Sequence, residues 1–93
     1  MTLEIRLSPE ATRDRKRLAQ FLVEKSPAAA IGALEAIVGA ISRLSRFPYN
    51  GRDVGDGKRE LSIPFGKSGY IAQYRIEPDA IIVARIFHMR EDR

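Results

Sequence analysis

Arg85 is the residue most out of place in this sequence. It stands inside Ile81-Ile82-Val83-Ala84-Arg85-Ile86-Phe87, a run that is otherwise apolar. Ionised side chains are seldom buried without partners. An arginine here must find a carboxylate, such as Glu60, or open onto a groove that receives an anion; both readings are open. Arg59 and Arg75 fall on what read as neighbouring strands. Three arginines on one sheet face would hold phosphates or the acidic segment of a partner. Arg75 taken alone reads as a solvated edge cation, whereas Arg59 leans toward function. His88 closes the same run as Arg85, and an imidazole among arginines suits general-base work, although a lone histidine is more often structural. Tyr49, Tyr70 and Tyr74 could stack on bases, but tyrosines inside strands are more often core residues with a satisfied hydroxyl, so Tyr70 and Tyr74 read as core.

These side chains need elements to position them. Leu3, Ile5 and Leu7 alternate with Glu4 and Arg6, the period of a strand with one buried face. Ser8-Pro9 reads as a helix cap followed by proline in the first turn, with Glu10 at the positive end of the dipole. A first helix is predicted over residues 9–24, with Ala11, Leu18, Phe21 and Leu22 near one face. Ser26-Pro27 repeats the start signal, so a second helix is predicted over 27–46, antiparallel to the first. Gly39 inside it costs up to about 1 kcal/mol of helix propensity, which close helix packing would explain. Residues 48–57 carry turn chemistry. Three strands follow, over 58–63, 70–76 and 80–88, the last apolar enough to be covered on both faces. The fold class is therefore α+β, ordered β-α-α-β-β-β. A three-strand meander carries the first strand at an edge, and the helical hairpin covers one face.

Composition sets limits on the chemistry. The chain has 93 residues, the size of one domain spanning 1–93, and 44% are hydrophobic. No cysteine is present, which removes disulfides, thiolate metal sites and cysteine nucleophiles; one histidine cannot build a His-rich metal site. No cofactor is expected. No apolar run is long enough for a membrane helix, and residues 1–6 do not open a signal peptide, so a cytoplasmic protein is expected. Sixteen Lys and Arg against twelve Asp and Glu give a net charge of +4. The densest basic stretch, Arg13, Arg15, Lys16 and Arg17, reads as a solvated helix face. Gly66-Lys67-Ser68 lacks the spacing of a phosphate loop and falls in a turn.

The order and spacing of several short motifs carry a resemblance over nearly the whole chain. They are Ser8-Pro9-Glu10-Ala11, Ser26-Pro27 with Ala30, Leu44-x-x-Phe47-Pro48-x-x-Gly51-Arg52 and Arg59-Glu60-Leu61. Tyr70-x-x-x-Tyr74-Arg75-Ile76 and Ile82-x-x-Ala84-Arg85-Ile86-Phe87-His88-Met89-Arg90 complete the set. Together they resemble the RelE/ParE superfamily of toxins from bacterial type II toxin–antitoxin systems. The resemblance implies the β-α-α-β-β-β fold and a cognate antitoxin partner, with operator DNA reached only through the complex with that antitoxin.

Two activities divide the superfamily. RelE-like members cut mRNA on the ribosome without a metal, and the resemblance then implies Arg59, Arg85 and His88 as catalytic. ParE-like members poison DNA gyrase, and Arg52, Arg59, Tyr74, Arg85 and Arg90 are then implied as partner-binding residues. Met89 stands where several ribonuclease members place a catalytic tyrosine, and no lysine cluster occupies the loop before the third strand pair beyond Lys58, so the ParE-like branch is favoured. A third reading is a toxin fold without toxicity that only binds its antitoxin.

Overall fold

The computed structural model describes residues 2–91. Its elements are β1 (Glu4–Leu7), α1 (Pro9–Lys25), α2 (Pro27–Arg43), β2 (Arg52–Gly55), β3 (Lys58–Phe65), β4 (Ser68–Ile76) and β5 (Ala80–His88). Both helix starts follow the Ser-Pro signal. The Ser8 hydroxyl accepts the Ala11 N–H at 3.0 Å and the Ser26 hydroxyl accepts the Ala29 N–H at 3.3 Å. Ser26 works in both directions, because its own N–H donates to the Leu22 carbonyl and closes α1 at 2.7 Å. This one residue therefore makes the tight corner of the hairpin. α2 stops three residues earlier than its apolar period suggests. The N–H groups of Leu44, Ser45 and Arg46 bond three residues back, to Ile41, Ser42 and Arg43, so the last turn tightens and leaves the α-helix.

The sheet order is β1-β5-β4-β3-β2. β2 through β5 run antiparallel to their neighbours, and β1 joins the edge of β5 in parallel, so the sheet is mixed. β2 is an addition to the expected layout. Its residues are exposed and do not alternate, because a short edge strand of this kind is set by its neighbour rather than by its own pattern.

One face of the sheet is covered by the helical hairpin. Tyr70, Ala72, Tyr74, Ile63, Ile81, Val83 and Ile86 pack there against Ala11, Leu18, Ala33, Ile37, Ile41 and Leu44. Small residues on α2 let it lie close to the strands. Gly39 is not one of the close contacts: a Cβ there would meet only the Arg43 guanidinium, at 3.7 Å. Among the described residues no helix layer covers the second face, so Ile82, Ala84 and Phe87 of β5 are half-buried rather than enclosed. No described helix is long and apolar enough to cross a membrane.

Candidate functional site

Residues directly opposite each other in an antiparallel pair share a face. Arg59 lies opposite Tyr74, on the helix-covered face. Arg85 lies opposite Gln73 and Arg75 opposite Ile82, on the other face. The three arginines therefore do not line one surface. His88, opposite Tyr70, shares the face of Arg59 but stands at the far end of it. Four residues along β4 and two strand spacings separate them, about 13 Å along the sheet and about 10 Å across it.

Arg85 is settled by an acid on α1. A bulge leaves Ala84 without a partner on β4, and β1 pairs with β5 only as far as Val83. Beyond Val83 the outer edge of β5 needs acceptors, and Asp14 supplies one. Its carboxylate accepts the Ile86 N–H at 2.8 Å and the Arg85 guanidinium at 2.7 and 3.1 Å, while Arg17 stands 3.5 Å away. Asp14 is only 4% exposed, the one charged side chain buried among the described residues. Burial by itself pushes its carboxyl upward, but the Arg85 and Ile86 hydrogen bonds outweigh this and hold it below the usual range. The partner is thus Asp14 and not Glu60, which instead meets Gln73 and Arg52. Arg85 also lies over the Phe87 ring, 4.6 Å from its centroid. Asp14 sits in the stretch 13–17 that read as a solvated face; its neighbours Arg13, Arg15 and Lys16 are exposed, and Asp14 turns inward.

His88 occupies a groove of about 500 Å³ between α1 and the end of β5, lined by Leu18, Phe21, Leu22 and Tyr70. Its ring meets Tyr70 edge-on at 5.3 Å. The Nδ1 atom accepts the Arg90 backbone N–H at 3.2 Å, which places the proton of a neutral ring on Nε2. Glu91 folds back to the Arg17 guanidinium and closes one side of the groove. The Arg90 side chain is exposed beside it.

The opposite corner is built around Tyr74. This side chain is 1% exposed, which leaves no surface for a partner, so its expected role in binding gives way to a structural one. Its hydroxyl donates to the Pro48 carbonyl at 2.7 Å and accepts the Gly51 N–H at 2.8 Å. Burial pushes the phenol above its ordinary value, so it stays protonated and can donate. Gly51 is required here, since a Cβ would fall 2.6 Å from the Tyr74 ring. Arg59 donates to the Gly51 carbonyl at 2.6 Å and lies over the Tyr49 ring, 4.8 Å from its centroid. Arg52 is largely exposed, 3.8 Å from Glu60. Asp14 and Tyr49 are the functional candidates that sequence reasoning underweighted. Asp14 stands in the sequence only as the single acid in a basic run, and Tyr49 only as one of three tyrosines that could stack on bases.

An α+β layer with a helical hairpin over a mixed sheet, carrying arginines at both ends, is the arrangement that the resemblance to the RelE/ParE toxin class implies. Residues 5–93 match the family described as the ParE toxin of the type II toxin–antitoxin system parDE. Two Caulobacter vibrioides proteins are close relatives. Toxin RelE1 is 41% identical over 93 residues, covering all of both chains. Toxin RelE3 is 38% identical over 89 residues, covering 96% of this chain and 97% of its own. Among solved structures, the chromosomal ParDE system of P. aeruginosa superposes with a TM-score of 0.75 at 20% identity, over 94% of this chain and 96% of that one. The RelBE2 toxin–antitoxin complex of Mycobacterium tuberculosis follows at 0.60 and 23% identity, over 95% and 99%. The chain belongs to the ParE toxin family of type II toxin–antitoxin systems.

Proposed function

We propose that this toxin arrests growth by poisoning DNA gyrase, acts in the cytoplasm, and is held in check by a cognate antitoxin through which it also reaches operator DNA. One observation carries the choice of target. Metal-free cleavage of RNA needs a base, an acid and a cation gathered on one scissile phosphate. Here Arg59 and His88 stand at opposite ends of a face, Arg85 is held by Asp14, and the His88 Nδ1 lone pair is already engaged. The match to the ParE family supports the same branch. Under this reading Arg52, Arg59 and Arg90 offer cations to a partner, and Arg85 acts through the edge that it holds with Asp14.

The names of the Caulobacter relatives favour a second reading, a RelE-like endoribonuclease acting on the ribosome. Purified protein added to gyrase, ATP and supercoiled plasmid should accumulate linear DNA after detergent and protease treatment. Induced expression should halt growth with a DNA-damage response. Cleavage of mRNA at ribosome-bound codons, with gyrase unaffected, overturns the proposal in favour of the ribonuclease. Soluble expression without any growth effect reduces the protein to an antitoxin-binding module.

A further inference from the structure

The loop that leads from α2 into β2 is held by groups from three parts of the chain. Residues 47–50 form a turn with Pro48 at its second position and Tyr49 at its tip, closed by the Asn50 N–H on the Phe47 carbonyl at 3.1 Å. Tyr49 is 70% exposed and Phe47 58% exposed. The surroundings nevertheless fix the turn from three sides. The buried Tyr74 hydroxyl ties Pro48 to Gly51, Arg59 ties itself to Gly51, and its guanidinium lies over one face of the Tyr49 ring. Packing does not require an aromatic ring held out in water by buried groups. With 70% of its surface exposed, the ring keeps room to receive something flat.

The charge around the ring points to what that is. Arg46 and Arg52 flank the loop in sequence, and Lys58 and Arg59 line a shallow pocket of about 230 Å³ with Tyr49, Asp53, Gly57 and Ile76. Asp53 is the acid within that pocket, and its carboxylate already accepts the Gly55 N–H at 2.8 Å. Among the lining residues Lys58 and Arg59 outnumber Asp53, and Arg52, near them in sequence, stands 3.8 Å from Glu60. Alternating cations and aromatic rings are how proteins hold an unpaired base and its phosphates.

We propose that this corner binds single-stranded nucleic acid, with one unpaired base stacked on Tyr49 and the neighbouring phosphates met by Arg46, Arg52 and Lys58. The proposal goes beyond the gyrase reading and does not depend on it, because it is tested without gyrase. Fluorescein-labelled 12-mers of dT and of rU, and a matched duplex, are titrated with the purified chain at several salt concentrations, and anisotropy is followed. Single strands should bind more tightly than duplex. Tyr49→Ala should weaken binding about fivefold or more, the loss of one stacked base, while Tyr49→Phe stays within about twofold because the ring alone stacks. Lys58→Gln should flatten the salt dependence by roughly 0.7 in log–log slope, one phosphate contact. The stronger of the dT and rU titrations identifies the strand, and either supports the proposal. Because Tyr49 is exposed, Tyr49→Ala should keep the wild-type melting temperature. Unchanged binding by Tyr49→Ala, or no binding of any oligonucleotide, overturns it. If Tyr49→Ala loses affinity for an antitoxin peptide instead, the corner is a protein-contact surface and the proposal fails.

Discussion

Arg85 and Arg59 are both strand arginines, and the structure treats them in opposite ways. Arg85 belongs to an edge that lacks hydrogen-bond partners. Asp14 is drawn in to accept the Ile86 N–H, and the guanidinium follows to balance the buried carboxylate. Arg59 belongs to a corner whose backbone is already served by Tyr74. Its guanidinium takes one carbonyl and then backs an exposed ring. The first charge is used to finish the fold, whereas the second is used to hold a surface in place. What decides between them is the unmet need of the nearest backbone, which no count of charges along the chain contains.

Breaking the Asp14 edge should have the largest effect. Asp14→Ala strands a buried N–H and frees Arg85, and should cost about 3 kcal/mol, seen as a fall of about 15 °C in melting temperature for a domain this size. Breaking the other corner should cost less. Tyr74→Phe leaves the Gly51 N–H without its partner for about 2 kcal/mol, by urea denaturation. It should also increase proteolytic nicking at residues 47–51. Arg85→Ala should be milder than Asp14→Ala, about 1 kcal/mol, because the Asp14 carboxylate keeps the Ile86 N–H and the nearby Arg17. Gyrase poisoning should survive that change. If Arg85→Ala instead abolishes poisoning at full stability, the contrast between the two arginines is wrong and Arg85 faces the target. The subtlest effect concerns pH. The Asp14 carboxyl is depressed in the folded protein, so between its folded value and the ordinary 3.8 the unfolded chain binds more protons. Its contribution is complete above about pH 4 and is lost as pH falls through the folded value. Asp14→Asn should flatten the acid limb of a stability–pH curve and leave the neutral plateau level.

Much of the architecture was legible because it is written locally. The two Ser-Pro caps, the alternation of β1, β3 and β4 and the apolar run of β5 each lie within a few residues of one another. The missed features are those that join distant parts of the chain. Asp14 and Arg85 are 71 positions apart, and their meeting depends on where β1 stops pairing. The expected face of three arginines failed because the pairing puts Arg59 opposite Tyr74 and Arg85 opposite Gln73, and the bulge at Ala84 is not visible as a pattern. β2 could not be read because an exposed edge strand has no buried side to mark. Tyr74 was rightly core by type, but what its hydroxyl does for Pro48 and Gly51 belongs to the folded loop alone.

The parallel seam between β1 and β5 has a consequence in time. Glu4 sits beside Ala80 and Leu7 beside Val83, and Ser8 reaches across to the backbone of Val83 and Ala84. β1 must therefore wait until β5 has been synthesised before it has anywhere to dock. A translation product broken off before Ala80 cannot close the sheet, and neither the Asp14 edge nor the His88 groove exists in it. Seams between such distant segments are also slow to form, because the chain must first surrender the entropy of a very large loop. A chain still short of Ala80 therefore cannot perform any task that needs the closed sheet.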